Sequence, residues 1–262
     1  MRLDEISCYL LDMDGTIYLG NQLLPGSGDF IQLISEKNIQ YFLLTNNSSR
    51  SRSDYVAKLR NMGLEVTADR ILTSGAATAS LLAGRNEGAR IYLVGTPSLQ
   101  AEFLDHGFEL TDDYPDSVVL GFDTTLTYEK LSRLCSLVRE GTHYIATHPD
   151  LNCPTAQGPI PDIGATIAFV EASTGRSPDE IIGKPFQPML EVVLSRTDLS
   201  PSQICMVGDR LYTDIAMGQH GLRTTLVLSG ETQRADLAES PYKPDLVVSG
   251  IGELAQLIKD QG

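Results

Sequence analysis

The sequence has no apolar run near the roughly 18 residues that would suggest a membrane span, so no membrane partner is expected. It is also short of positive charge: 20 Lys and Arg stand against 34 Asp and Glu, a net charge of −14. That balance repels phosphate backbones and anionic lipid, which argues against polymeric nucleic acid as a partner. Cysteine is sparse. Cys8, Cys135, Cys153 and Cys205 lie far apart with no C-x-x-C pair, which excludes a disulfide framework and fits reduced thiols. The four histidines show no clustered ligand spacing. Met1 to Cys8 carries Asp4 and Glu5 and lacks the basic, then apolar layout of a signal peptide, so a cytoplasmic protein is expected. There is no internal repeat, low-complexity tract or charge block.

What is present is a folding composition: 262 residues, 42% apolar and 21% charged. The length allows one large or two modest domains. Apolar runs alternate with amphipathic stretches throughout, the pattern of β-α-β units and a mostly parallel sheet, so the fold class is α/β. Strands are predicted at Cys8 to Asp12, Tyr41 to Thr45 and Ile204 to Gly208 among others, and a helix over Thr213 to Gln219. Gly63 and Gly107 fall where a glycine past a helix end is expected. Turn-rich polar stretches at 83–88 and 174–178 look like seams. They divide the chain into residues 1–82 plus 179–262 and an insert, 83–178.

The sharpest chemical signal is Leu10-Leu11-Asp12-Met13-Asp14-Gly15-Thr16. Asp12 and Asp14 are spaced i, i+2 at the end of an apolar strand, so both side chains leave the extended backbone on one side if the strand persists that far. Ligands of open α/β sheets gather outside the carboxyl ends of strands. Alone, Asp and Gly after a strand are also ordinary turn chemistry. An EF-hand is excluded, because the Gly and closing Glu of its loop fall on Ile17 and Leu23. Tyr41 to Ser49 is a buried strand ending in Thr45-Asn46-Asn47-Ser48-Ser49, groups suited to oxyanions or to capping the next helix. Gly183-Lys184-Pro185 offers a cation, which alone reads as a solvated surface lysine. Ile204 to Asp214 is another buried strand ending in acids, with Asp209 and then Asp214 near a helix start. If Asp12, Asp14, Asp209 and Asp214 converge, each pair about 4 Å apart repels by about 4 kcal/mol at an effective dielectric near 20. Such a cluster needs a cation, and all-oxygen ligands select Mg²⁺ over zinc.

This ordered set, D-x-D-G-T at 12–16, L-L-T-N-N at 43–47, G-K-P at 183–185 and G-D-R-L-x-T-D at 208–214, resembles the haloacid dehalogenase (HAD) superfamily of phosphohydrolases. Within it the chain is similar to the NagD-like, p-nitrophenylphosphatase-like group with a C2-type cap. The resemblance implies a Rossmann-like core, an inserted α/β cap and a Mg²⁺-dependent phosphomonoesterase for small phosphorylated metabolites such as nucleotides or sugar phosphates. It implies Asp12 as nucleophile through an aspartyl-phosphate, and Asp14 as acid and then base. Mg²⁺ would be held by Asp12, Asp209 and the Asp14 backbone carbonyl, with Asp214 orienting its waters. Thr45, Asn46, Asn47 and Lys184 would bind phosphate. In the cap, the loop Thr147 to Asn152 and the segment Gln157 to Gly164 would face substrate, with His148 and Asp150 as candidates. His148 stands where the group's T-N-P-D pattern has Asn. A homodimer is compatible with the resemblance.

Two other motifs carry less. Gly250-Ile251-Gly252-Glu253-Leu254-Ala255 matches a dinucleotide fingerprint but has no acid about 20 residues on, so it reads as a helix start. Cys153 reads as a buried thiol, with no paired base to activate it. The competing readings are a phosphotransferase on the same scaffold, a phospho-accepting module and a non-catalytic phosphometabolite-binding protein.

Overall fold

Runs such as Tyr9-Leu10-Leu11 and Met206-Val207 have no polar face, as expected of parallel strands covered on both sides. In the computed structural model, which describes residues 1–86, 88–155 and 157–261 (Gln261 by its backbone alone), they form the middle of a six-stranded sheet. Its order is Leu246–Val248, Arg223–Val227, Ile204–Gly208, Cys8–Asp12, Gln40–Thr45, Ile71–Thr73. The first five strands pair in parallel, with Leu10 opposite both Phe42 and Met206. Leu10, Leu11 and Leu43 are sealed from solvent, each contributing about 1.5–3 kcal/mol of burial. From Cys8–Asp12 the chain winds outward to Gln40–Thr45 and Ile71–Thr73, then comes back on the other side as Ile204–Gly208. The boundary between Cys8–Asp12 and Ile204–Gly208 is therefore a topological switch point, outside which ligands of such sheets collect.

The chain divides into two units: Met1–Thr45, Val56–Leu72 and Val193–Gly262 form one, Asn46–Tyr55 and Thr73–Val192 the other. In the first, helices Ser27–Glu36 and Ile251–Gln261 pack together. The second has a parallel five-stranded sheet ordered Glu180–Ile181, His143–Ala146, Ser117–Leu120, Arg90–Val94, Glu109–Leu110. Helices Tyr128–Arg139 and Ile163–Thr174 pack against each other over a core that includes Phe122, Leu134, Val138 and Tyr144. Threonines cap three helices of this unit: Thr73 accepts the Ala76 N–H at 3.0 Å, Thr96 that of Leu99 at 3.3 Å and Thr127 that of Lys130 at 3.2 Å.

Several local expectations meet a different outcome. The segment Thr213 to Gln219, expected as a helix, is a 3₁₀ turn over Ile215–His220. Asp214 does not cap it; its carboxylate turns back to accept the Arg210 N–H at 3.0 Å. Antiparallel ribbons join Tyr18–Leu19 to Gln22–Leu23 and Asn152–Cys153 to Ile160–Pro161. Two-residue strands are too short to show alternation in sequence. The strand Glu180–Ile181, also unforeseen, lies past residue 178, where the sequence places the end of the insert. Glu87 of the 83–88 seam and Gly262 lie outside the described residues. Gly250 does precede a helix, Ile251–Gln261. No helix among the described residues is long and apolar enough to cross a membrane.

Candidate active site

Asp12 is the last residue of Cys8–Asp12, Thr45 the last of Gln40–Thr45, and Asp209 follows the last of Ile204–Gly208. The three strands are adjacent, so all three residues stand at the carboxyl edge beside the switch point. One carboxylate oxygen each from Asp12, Asp209 and Asp214 lies within 4.8 Å of the others. Asp209 and Asp214 are buried and Asp12 is partly so. Asp209 Oδ2 also accepts the Glu231 N–H at 2.6 Å.

Three glycines make room for these acids. A Cβ on Gly230 would stand 2.0 Å from Asp209 Oδ2, and one on Gly208 2.3 Å from the Asp214 carboxyl carbon. At Gly15 a Cβ would meet Asp209 Oδ2 at 2.6 Å, and its φ of +83° favours glycine as well. Gly15 turns the chain after Asp14: its N–H donates to the Tyr18 carbonyl at 2.8 Å, and Ser229 Oγ donates to its carbonyl at 2.7 Å.

The cluster fits a hard divalent cation. Its donors are all carboxylate oxygens, the set preferred by Mg²⁺ or Ca²⁺ and not by zinc. Ionised pairs at 4.8 Å would repel by about 3.5 kcal/mol each at an effective dielectric near 20, which a cation among them removes.

Asp14 is not in that cluster. Burial pushes its carboxyl up from the ordinary range, with Lys58 and Arg210 pulling the other way. Sequence reasoning gave neither cation a role. Arg210 was within a quoted motif and forms an ion pair with Glu231 at 2.9 Å. Lys58 sits in helix Arg52–Asn61, its Nζ 3.8 Å from the Tyr18 ring centroid, with nothing in its local sequence to single it out.

The second unit gathers the remaining predicted residues. Asn46, His148, Asp150 and Lys184 are all buried, Lys184 to 2% exposure, so it is no solvated surface lysine. Asn46 bonds to both Asp150 and the Lys184 backbone. Asn47 is spent largely on its own turn, its Oδ1 accepting the Ser49 N–H at 2.9 Å and hydroxyl at 2.7 Å, while its Nδ2 lies 3.7 Å from Cys153 Sγ. Cys153 is half-buried, not buried. Ser48, read in the sequence only as one of the polar run 45–49, is fully buried; it shares a 2.9 Å hydrogen bond with Thr147 and accepts the Phe122 N–H at 2.8 Å.

Comparison with known proteins shows the family. A family model described as haloacid dehalogenase-like hydrolase matches residues 9–109, and a second, HAD-hydrolase-like, matches 181–254. The chain is 36% identical to an acid sugar phosphatase of Staphylococcus saprophyticus, over 96% of this chain and 98% of that one. The crystal structure of a 4-nitrophenylphosphatase from Thermotoga maritima superposes with a TM-score of 0.95 at 49% identity, covering 98% of each chain. A glycerol phosphate phosphatase from Mycobacterium tuberculosis, solved in complex with magnesium, gives a TM-score of 0.87 at 31% identity over 97% of this chain and 78% of that one.

Proposed function

Because the chain belongs to the haloacid dehalogenase-like hydrolases and is a phosphatase, we propose that it hydrolyses small phosphomonoesters, sugar phosphates and p-nitrophenyl phosphate among them, through an aspartyl-phosphate on Asp12. The observation that carries this reading is the meeting of Asp12, Asp209 and Asp214 at the switch point. A carboxylate oxygen of Asp12 attacks phosphorus, and the bond from phosphorus to the ester oxygen breaks. Asp14, its carboxyl pushed up by burial, gives its proton to the departing oxygen. It then takes a proton from the water that attacks the intermediate, which releases inorganic phosphate and frees Asp12.

Mg²⁺ is the proposed cofactor, held by Asp12, Asp209 and the Asp14 backbone carbonyl, with Asp214 behind them; when bound it supplies positive charge against the phosphoryl oxygens. Thr45, the Asn46–Asn47 segment and Lys184 are assigned to those oxygens on the strength of their motifs. Residues 1–82 plus 179–262 are proposed to perform the chemistry, and 83–178 to act as a cap that selects the leaving group.

Asp14→Asn tests the mechanism. Nitrophenolate leaves with little protonation help, so the first step should survive in this variant while water attack suffers. Rapid-quench measurements should show a burst of about one nitrophenolate per active site and then a slow phase. Asp12→Asn should show neither. Equal, burst-free loss on aryl and alkyl esters in the Asp14 variant would refute the assignment.

A further inference from the structure

Asn46 directs both ends of its side-chain amide at one residue. Its Oδ1 accepts the Lys184 N–H at 2.8 Å, and its Nδ2 donates to the Lys184 carbonyl at 3.0 Å. The second hydrogen on Nδ2 goes to Asp150 Oδ1, also at 3.0 Å. Asp150 is held in turn, its N–H donating to His148 Nδ1 at 3.3 Å. The His148 ring lies between two carboxylates, its Nδ1 3.9 Å from Asp150 Oδ2 and its Nε2 3.4 Å from Asp162 Oδ1. Asp162 accepts the Ile163 N–H at 2.7 Å and caps helix Ile163–Thr174.

Packing leaves this arrangement little freedom. A Cβ on Gly183 would stand 2.7 Å from Asn46 Oδ1, from His148 Cβ and from the Thr147 carbonyl. Gly164 donates its N–H to the Asp150 carbonyl at 2.8 Å, and a Cβ there would meet the Pro149 carbonyl at 2.4 Å. His148 has no exposed surface and Asp150 9%. A histidine with no exposed surface is badly placed to choose among leaving groups.

We infer that His148, Asp150 and the Asn46 side chain are positioning residues, a buried relay that fixes the Lys184 main chain, and not substrate contacts. The inference rests on the proposed role of Lys184 at the phosphoryl group. Without Asp150 a buried Asn46 hydrogen loses its partner, and the amide that holds the Lys184 backbone loses its anchor on the other side. The phosphoryl group is common to all phosphomonoesters, so every substrate suffers alike. Loss of a partner that orients a metal ligand typically costs about 10- to 100-fold, and a loss of that order is expected here.

Asp150→Ala, Lys184→Ala and the double variant are compared on p-nitrophenyl phosphate, glycerol phosphate and a sugar phosphate, with inhibition by inorganic phosphate and melting temperature recorded for each. Asp150→Ala is expected to lower kcat/KM about 10- to 100-fold on all three esters, weaken phosphate inhibition in proportion and cost nothing further once Lys184→Ala is present. Asn46→Asp, which sets two carboxylates face to face, should be worse, and adding Asp150→Asn should recover part of the loss; this pair serves equally if Asp150→Ala does not fold. A changed substrate ranking with phosphate inhibition intact overturns the inference, as does a full additional loss in the double variant. Wild-type turnover and phosphate inhibition in Lys184→Ala would instead remove the role of Lys184 itself, and the inference with it.

Discussion

Gly230→Ala isolates the acid cluster from every chemical group in it. The added Cβ would sit 2.0 Å from Asp209 Oδ2 and 2.5 Å from its carboxyl carbon, where real contacts are no closer than 3.0 Å, so the carboxylate must retreat by about 1 Å or more. Asp209 is 3% exposed and bonded to the Glu231 N–H, so a retreat either breaks that hydrogen bond or moves the carboxylate within the Asp12–Asp214 cluster. Overpacking of this kind costs about 1–3 kcal/mol, which for a chain of this length lowers Tm by several degrees. A 1 Å misplacement of a catalytic group can cost about 100-fold in rate, equivalent to about 2.7 kcal/mol of barrier. The assay is steady-state hydrolysis of p-nitrophenyl phosphate over a range of Mg²⁺, beside a melting curve. Gly250→Ala is the control, since its Cβ would lie 3.8 Å from Ser229, an ordinary contact. Gly230→Ala should lose about two orders of magnitude in kcat/KM and need more Mg²⁺, with Gly250→Ala unaffected. Activity within a few-fold of wild type and an unchanged Mg²⁺ requirement would refute the claim that Asp209 is held in a catalytic position by the space at Gly230.

Chelation with EDTA is expected to abolish turnover and Mg²⁺ to restore it; independently of activity, Mg²⁺ at about 100 times its Kd should stabilise the fold by about 2.7 kcal/mol, a thermal shift absent in Asp209→Ala. An equal shift in that variant would count against the site. Burial pushes the Cys8 and Cys205 thiols up to about 12. Because their folded values lie above the ordinary thiol value of 9.0, the stability they supply is fully present below pH 9 and lost as pH rises toward 12. Urea midpoints at about pH 8 and pH 11 should therefore fall more in wild type than in Cys8→Ala/Cys205→Ala, and equal falls would contradict this.

The strands and the acids were legible because each is written in contiguous residues. Tyr9-Leu10-Leu11 can be little other than a covered strand, and the acid after it has to emerge at the strand's end. Gly63 and Gly107 were readable for the same reason, and both adopt positive φ past a helix end. The relay around Asn46 was not, since its partners are 104 and 138 positions away and no local pattern encodes a contact of that span. Lys58 escaped notice because one lysine on a polar helix resembles any other. The helix expected over Thr213 to Gln219 is a 3₁₀ turn instead, with the Asp214 carboxylate turned back to the Arg210 N–H, a local bond that the apolar pattern does not encode.

The pairing of Glu180–Ile181 with His143–Ala146 bears on how this protein could be cut down or recombined. Excising residues 83–178 to obtain a minimal hydrolase would leave Glu180–Ile181 without its neighbouring strand three residues ahead of Lys184, and Asn46 without Asp150. Exchange of that segment between relatives carries the same constraint. A grafted insert must bring a strand in register with Ile181 and an acceptor for Asn46, or the segment that carries Lys184 loses its support.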